Sequence, residues 1–366
     1  MVLNKSAVRS KKSRLSRAAL AAFASAALLA TAGCVDSGGG EGGGDGATIT
    51  MRINTGVPPS HHYAKNVWAP WVEMVDDETD GAVKVEIYDG DTLGSFGTAL
   101  SDIQGGVYDG SFIIPEYFED SDLFPYTIGP LPYSYPDIET GNEVLSKFVE
   151  KYEDEMTADG VVMPAATLSD HYNIYSTKPI EKLDDLSGMQ FRASSETNAD
   201  LIKAWGAAPV QMTTGEVYQG LERGTIDATA YTNVGAIGFK FFEVAPYISM
   251  VEAYGTLVAP AISEQFLDNL PDDTRKIFDE TLLPELGELA LKTYGMEVDE
   301  ANETLAGEDG VTIIEMSDEE LAEFKEAAEP VWQNWIDDAD ARGHDGQEMV
   351  DTWMDLLEEA GGERPF

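Results

Sequence analysis

The chain has 366 residues, of which 67 are acidic and 23 are lysine or arginine, so its formal net charge is −44. Such a charge argues against nucleic acid as a partner, because phosphates are bound by lysine and arginine. The 43% hydrophobic and 10% aromatic content supplies a core, so the acidic residues must coat a folded surface. Because salt at about 1 M screens charges beyond roughly 3 Å, the composition predicts a secreted protein of a salt-loving prokaryote.

The N-terminus has the pattern of a secretory signal. Basic residues between Lys5 and Arg17 precede an apolar run, Ala18 to Ala30, which is too short to span a bilayer. Cys34 is the only cysteine, and its context after Ala-Gly resembles the prokaryotic lipobox. We predict a signal peptide over 1–33, a glycine-rich tether over 34–46 and lipidation of Cys34, which anchors the protein to the outer face of the cytoplasmic membrane. The alternative is an ordinary signal peptide with an incidental cysteine.

Two later segments, residues 48–114 and 188–233, each predict a β-α-β-α-β unit. The first opens with alternating apolar residues in Thr48–Asn54 and continues with a helix over His61–Glu78. The two segments align at a helix end, a glycine stop and an aspartate three residues later, Gly106–Asp109 and Gly224–Asp227. We interpret this as an internal pseudo-repeat. The 333 residues left after signal removal suit two α/β lobes that face each other across a cleft.

The remaining pattern predicts further strands and helices around these units. Strands are predicted over Val161–Thr167, His171–Lys178 and Tyr254–Ile262, and helices over Glu139–Thr157, from Pro271 past Ala290, and over Asp318–Ala360. The last of these is strongly amphipathic, and Trp332, Trp335 and Trp353 are its expected core anchors.

Signatures of catalysis are scarce in this sequence. It has no Gly-x-Ser-x-Gly elbow, no His-Glu-x-x-His, no phosphate-binding loop and only four histidines. Carboxylates are so abundant that a nearby pair carries little information. The sequence therefore favours binding over chemistry.

Arg192 is the most informative charged residue, because arginine is rare here. It ends a predicted buried strand and precedes a helix N-terminus, and ligands of open α/β sheets lie outside the carboxyl ends of the strands. A planar guanidinium beside free backbone N–H groups can clamp a carboxylate. The alternative is a surface arginine that pairs with one of the many acids.

Several motifs together resemble the extracytoplasmic solute-binding proteins of TRAP (tripartite ATP-independent periplasmic) transporters. They are Lys178–Arg192, Gly215–Tyr218, Gly224–Asp227 and Phe239–Glu243 in the second half, and Asp91–Gly94, Gly106–Asp109 and Leu131–Tyr133 in the first. The resemblance implies an α/β, two-lobed, periplasmic-binding-protein-like (type II) fold, with a mixed sheet flanked by helices in each lobe and long helices crossing between them. We assign 47–168 and 257–298 to lobe I, and 169–256 and 299–366 to lobe II.

The same resemblance implies the ligand-binding residues. Arg192 is expected to clamp the ligand carboxylate, and Tyr231 to donate its hydroxyl. Tyr172 stands where sialic-acid and dicarboxylate members use a second arginine, which favours a monocarboxylate, or an acid with a polar or aromatic remainder. Other family contact positions hold Asn54, Ser195 and Thr214, and His61 opens the first helix. Because Ala230 replaces a metal-binding glutamate of some members, no metal and no cofactor are expected.

We therefore predict a monomeric, lipid-anchored receptor that binds a small organic acid and delivers it to a TRAP membrane permease, without catalysis. One rival is a secreted two-lobed enzyme that uses His61 or His62 with a cleft carboxylate as acid and base. Another is a sensor domain that acts on a separate signalling partner.

Overall fold

The computed structural model describes residues 48–153 and 155–366. In this part the strands are β1 (Ile49–Asn54), β2 (Val83–Tyr88), β3 (Gly110–Ile113), β4 (Val161–Val162), β5 (Thr167–Leu168), β6 (Asn173–Ser176), β7 (Gln190–Ala193), β8 (Ala208–Gln211), β9 (Ala228–Tyr231), β10 (Tyr247–Met250), β11 (Leu257–Ser263) and β12 (Thr312–Glu315). The signal peptide, the tether and Cys34 lie outside the described residues.

The helices complete the architecture. They are α1 (Ala69–Glu78), α2 (Ala99–Gln104), α3 (Ile138–Lys151), α4 (Glu196–Ala204), α5 (Thr214–Glu222), α6 (Asn233–Phe239), α7 (Glu264–Asp268), α8 (Asp272–Ile277), α9 (Leu283–Thr293), α10 (Val298–Gly307), α11 (Asp318–Arg342) and α12 (Gly346–Glu359). Wider π-helical turns at Ala64–Trp68 and Phe278–Leu282 lead into α1 and α9. No described helix has the length and apolar character needed to cross a membrane.

The strands form two mixed sheets, one for each lobe. The first has the order β2-β1-β3-β11-β4, with β5 also pairing with β11, and the second has the order β12-β10-β6-β9-β7-β8. In both sheets the strands of the predicted β-α-β-α-β units run parallel, and one strand from elsewhere in the chain, β11 in the first sheet and β6 in the second, pairs antiparallel with them. The mixed-sheet prediction is confirmed, whereas the residue boundaries assigned to the two lobes stay a prediction.

Burial explains why the first unit folds as predicted. In β1 the alternating side chains of Met51 and Ile53 are fully buried, as strand periodicity requires. In the helix that follows, Val67, Trp71 and Val75 recur at a spacing of four and face the same core. The spacing of apolar residues therefore explains why β1 and the helix after it form and how they pack.

The predicted pseudo-repeat has a geometric counterpart. Asp109 accepts the backbone N–H of Arg52 at 2.7 Å and donates its own N–H to the Arg52 carbonyl at 2.8 Å. Asp227 makes the same pair of bonds with Gln190, at 2.9 and 2.7 Å. Each aspartate thereby fixes the register of its parallel strand pair.

Several predicted boundaries were wrong, each for a local reason. The expected single helix over Asp318–Ala360 is two helices, because the chain turns at Gly343 in the left-handed region, with φ of 94°. The strand expected over Val161–Thr167 is two short strands, β4 and β5. The sequence reasoning assigned nothing to α10 and β12.

The C-terminal helices hold a proline-rich segment, residues 123–135, which contains Pro125, Pro130 and Pro132. Helix α11 packs on α4 and helix α12 packs on α3. Their tryptophans are buried as predicted, and the indole N–H groups donate to this segment: Trp332 to the Pro132 carbonyl, Trp335 to the Thr127 hydroxyl and Trp353 to the Ser134 carbonyl. These three bonds fix a segment that has little regular structure of its own.

Two chain crossings join the lobes side by side. Residues 169–172 lead from β5 to β6, and residues 254–256 lead from β10 towards β11. Ser169 donates its N–H to the Thr256 carbonyl at 2.9 Å, and Tyr172 donates to the Tyr254 carbonyl at 2.6 Å. Gly255 is required here, because a side chain would collide with the Tyr135 hydroxyl.

Asp170 lies buried in the first of these crossings. Its Oδ1 has no hydrogen-bond partner among the described residues, and burial raises its pKa to about 8. Because the folded state holds this proton more tightly than the unfolded state, the carboxyl contributes its full stability only below its unfolded pKa near 3.8. That contribution is lost as the pH rises towards about 8.

We expect the free energy of unfolding of Asp170→Asn to depend less on pH than that of the wild type. Between about pH 4 and 8, the free energy of unfolding of the wild type should fall more steeply than that of the variant, by at most about 1.4 kcal/mol per pH unit for one proton. Urea denaturation across this range measures the difference, and Asp159→Asn at an exposed aspartate is the matched control. Parallel curves for wild type and Asp170→Asn would contradict the assignment.

Candidate functional site

Arg192 lies at the end of β7 and is buried, with 3% of its surface exposed. Its Nε donates to the Met212 carbonyl at 3.1 Å, and its Nη2 donates to the hydroxyls of Tyr117 at 2.7 Å and Thr214 at 3.3 Å. Nη1 has no hydrogen bond to any described residue. One edge of the guanidinium is thus fixed, and Nη1 remains available to donate.

The charge of Arg192 is not balanced by a carboxylate within the described residues. Four other arginines there form ion pairs with aspartate or glutamate: Arg52, Arg275, Arg342 and Arg364. Burial acts to lower the pKa of Arg192, and the tyrosines around it act to raise it. A guanidinium always stays charged in proteins, so this one is a buried cation that lacks an anion.

A cavity of about 30 Å³ lies against Arg192, between the lobes. Its walls come from the first-lobe loops, the ends of β7 and α5, helix α4 and the second crossing. They include Glu116, Tyr117, Thr127, Pro130, Pro132, Tyr172, Arg192, Ser195, Asn198, Thr214, Tyr254 and Thr256. Such a volume holds only a few water molecules, so we interpret the described conformation as closed and expect an organic acid to enter when the lobes separate.

Four of the predicted site residues line this cavity: Arg192, Tyr172, Ser195 and Thr214. Ser195 is also the N-cap of α4, where its hydroxyl accepts the N–H of Asn198 at 3.1 Å. Thr214 begins α5 and lies 3.1 Å from the hydroxyl of Tyr117. The ring of Tyr172 packs between those of Tyr231 and Tyr254. The carboxyl ends of β7 and β8 thus meet at one site, as the strand-edge argument expects.

Three other predicted residues do not line the cavity. Tyr231 ends β9 behind Tyr172, with 5.3 Å between the ring centroids. Asn54 is engaged by its own lobe, because its side-chain amide donates to the Gly94 carbonyl at 2.8 Å. His61 lies on another part of the interlobe contact, where its ring meets that of Phe239.

His61 and His62 are both buried and neutral in character. Burial lowers the pKa of His61 well below its ordinary value, and the neighbouring His62 and Lys65 add to the effect. Burial also lowers the pKa of His62, to about 3. The Nε2 atoms of both rings have no hydrogen-bond partner among the described residues.

The sequence reasoning missed the loop that follows β3. This loop, residues 115–119, reaches from the first lobe into the second: the Tyr117 hydroxyl bonds to Arg192, and the Glu119 carboxylate accepts the N–H groups of Glu196 and Thr197 at the start of α4. A carboxylate at a helix N-terminus is favourable. The loop lies beyond the carboxyl end of a strand, so the argument that selected Arg192 applies equally to it.

Glu116 is the buried member of this loop, with 8% of its surface exposed. Its Oε1 accepts the hydroxyl of Thr256 at 2.6 Å and the N–H of Leu257 at 3.2 Å. Its Oε2 has no partner among the described residues. Burial raises the pKa of Glu116 to about 7, although these hydrogen bonds act to lower it.

No cluster of three or more metal-ligating side chains occurs in residues 48–153 and 155–366. The site contains one cation, one buried carboxyl group and several phenol groups. This arrangement is suited to binding a polar anion.

Comparison with known proteins decides the family. The family described as bacterial extracellular solute-binding protein, family 7 (DctP), matches residues 53–338. The chain belongs to this family. Its members are the TRAP extracytoplasmic solute-binding proteins, which are receptors and not enzymes, so the prediction of a non-catalytic, extracytoplasmic solute receptor is confirmed.

Individual DctP relatives support the assignment over most of the chain. The C4-dicarboxylate-binding protein DctB of Bacillus subtilis is 24% identical, over 72% of this chain and 76% of its own. A TRAP solute binding protein from Rhodoferax ferrireducens, solved with copurified benzoate, is 22% identical with a TM-score of 0.75, over 86% of this chain and 99% of that one. A marine metagenome TRAP protein specific for aromatic acid ligands is 24% identical with a TM-score of 0.77, over 85% and 99%. The type II periplasmic-binding-protein fold is thereby confirmed.

The contact between His61 and α6 provides a test of lobe closure in this DctP chain. A side chain added at Gly238 would lie 2.9 Å from the His61 Cα, whereas one added at Gly307 would meet nothing within 4 Å. Alanine favours helix over glycine by about 1 kcal/mol, so Gly238→Ala should fold at least as well as the wild type while disfavouring the closed state by about 1–3 kcal/mol.

Small-angle scattering without ligand should therefore give a larger radius of gyration for Gly238→Ala than for the wild type. Gly307→Ala, the matched control, should scatter like the wild type. A Gly238→Ala protein as compact as the wild type would show that this contact does not limit closure.

Proposed function

We propose that this DctP receptor closes its lobes on a small carboxylate whose negative charge is neutralised by Arg192. The observation that carries the proposal is the buried guanidinium itself. It lines the interlobe cavity, has no carboxylate partner among the described residues, and keeps Nη1 free to donate. A bound carboxylate would supply both the missing charge and the missing acceptors.

Closure of the two lobes also involves Arg192. The Tyr117 hydroxyl from the first lobe bonds to Arg192 and Thr214 of the second, and Glu119 adds bonds to the N-terminus of α4. A ligand on Arg192 adds contacts that exist only when the lobes meet, so it shifts the population towards the closed state.

The walls of the cavity favour a monocarboxylate with a polar or aromatic remainder. Arg192 is the only lysine or arginine among the cavity-lining residues of the described chain, so a second carboxylate would have no cation there. The rings of Tyr117, Tyr172 and Tyr254 offer aromatic faces. Relatives solved with benzoate and with other aromatic acids agree with such a remainder.

The receptor then hands its ligand to the membrane subunits of a TRAP transporter. We further propose that Cys34 carries a lipid that keeps the receptor at the outer face of the cytoplasmic membrane, and that the acidic surface adapts it to high salt. The lipobox-like context of the only cysteine and the charge of −44 support these two points.

We expect Arg192→Ala to weaken binding of the ligand by about 2–5 kcal/mol, because the carboxylate is then buried without its partner. A thermal-shift screen of organic acids identifies a ligand, and isothermal titration calorimetry measures the loss. Arg223→Ala, at an exposed arginine at the end of α5, should leave the affinity within error. Equal affinities for Arg192→Ala and the wild type would remove Arg192 from the site.

We expect Cys34→Ser to abolish membrane attachment, since no other thiol is available for acylation. Expressed in a prokaryote with lipoprotein-processing enzymes, the wild type should partition into detergent and incorporate labelled fatty acid. The variant should do neither. Labelled fatty acid in the Cys34→Ser protein would place the anchor elsewhere.

A further inference from the structure

The site holds a second group that the carboxylate clamp does not use. Glu116 lines the same cavity as Arg192, yet no ion pair joins them in the described structure. All the other cavity-lining residues are uncharged. The cavity therefore contains one cation and one acid, held apart from each other.

The two oxygens of Glu116 have different roles. Oε1 is anchored by the Thr256 hydroxyl and the Leu257 N–H, both at the start of β11. Oε2 is buried and has no partner among the described residues. A buried polar atom without a partner costs free energy, so its retention beside a ligand cavity calls for a group that satisfies it.

The ligand itself is the group best placed to do so. Water is one alternative, because the cavity of about 30 Å³ holds a few water molecules, but an acid that enters on Arg192 would displace them. A carboxylic acid with its anionic end on Arg192 extends along a cavity whose other polar wall includes Glu116. A hydroxyl or ammonium group on that remainder would donate to Oε2.

Building on the proposed function, we propose that Glu116 selects carboxylic acids that carry a hydrogen-bond donor, a hydroxyl or an ammonium group, on the part of the molecule remote from the carboxylate. Arg192 then binds the carboxylate, and Glu116 accepts a hydrogen bond from the donor group. An acid that lacks the donor leaves Oε2 buried and unpaired in the closed state, which the site disfavours.

Matched acids test this directly. One set is butyrate, γ-hydroxybutyrate and γ-aminobutyrate, and a second is phenylacetate, para-hydroxyphenylacetate and para-aminomethylphenylacetate. In calorimetry at about pH 8, above the pKa of about 7 of Glu116, at least one donor-bearing member should bind the wild type about ten- to a hundred-fold more tightly than the plain acid of its set.

Two variants separate the hydroxyl from the ammonium. Glu116→Gln keeps an oxygen for Thr256 and Leu257 but loses the charge, so it should abolish a preference for ammonium and retain part of a preference for hydroxyl. Glu116→Met removes the acceptor and should abolish both. Thermal unfolding confirms that each variant folds. If Glu116→Met does not fold, the loss of the preference for ammonium in Glu116→Gln still tests the proposal.

Glu119→Gln is the matched control, because it makes the same chemical change three residues away on the interlobe contact. It should weaken plain and donor-bearing acids by the same factor and leave the preference intact. If only Glu119→Gln changed the preference, Glu116 would not be the selecting residue.

The outcomes distinguish this inference from the function on which it rests. Plain acids that bind through Arg192 as tightly as their hydroxy and amino counterparts would overturn the role of Glu116 and leave the carboxylate receptor standing. If no carboxylate bound the wild type, and Arg192→Ala had no effect on any ligand found, both proposals would fall.

Discussion

The structure depends on a buried positive charge that the protein does not neutralise. Most arginines of the described chain pair with carboxylates, in a protein with an abundance of acidic residues, yet Arg192 is surrounded by phenols, hydroxyls and a carbonyl. Because no carboxylate pairs with Arg192 among the described residues, the site favours the binding of an anion. We propose that this unbalanced charge is the source of the receptor's affinity for its ligand.

The two β-α-β-α-β units together form the cleft in which an anion can reach Arg192. The paired aspartates, Asp109 and Asp227, hold matching strands in matching register, so Asn54 in the first lobe corresponds to Arg192 in the second. The two positions have diverged in use. Asn54 fixes a turn of its own lobe, and the interlobe contacts of the first unit come instead from the loop after β3.

Much of this arrangement was predictable from the sequence, because it follows from periodicity and strand-end geometry. Arg192, Ser195 and Thr214 sit where the carboxyl ends of parallel strands and helix N-termini meet. Short-range pattern is enough to select Arg192, whereas Ser195 and Thr214 were expected from the family resemblance. Glu116 and Tyr117 were missed, since their roles depend on which loop crosses to the opposite lobe. The position of this loop after a strand end makes it a candidate, but its contacts with the opposite lobe are a property of lobe packing.

The boundaries that sequence placed wrongly also have a physical cause. The amphipathic pattern of α11 and α12 continues across Gly343, so periodicity alone cannot see a break that comes from a left-handed backbone. Likewise, Asn54 and His61 carry the right chemistry for a ligand, but in the closed state their contacts are with the protein. Chemical type indicates candidates, and packing decides among them.

The tryptophans of the C-terminal helices have a consequence for how specificity can change. Trp332 and Trp335 bond directly to Pro132 and Thr127, which form one wall of the cavity. That wall is braced from behind by a distant part of the chain, so it behaves as a fixed template. Adaptation to new nutrients, by evolution or by a designer of biosensors, should therefore proceed through the opposite wall, where single side chains can be exchanged without disturbing the scaffold.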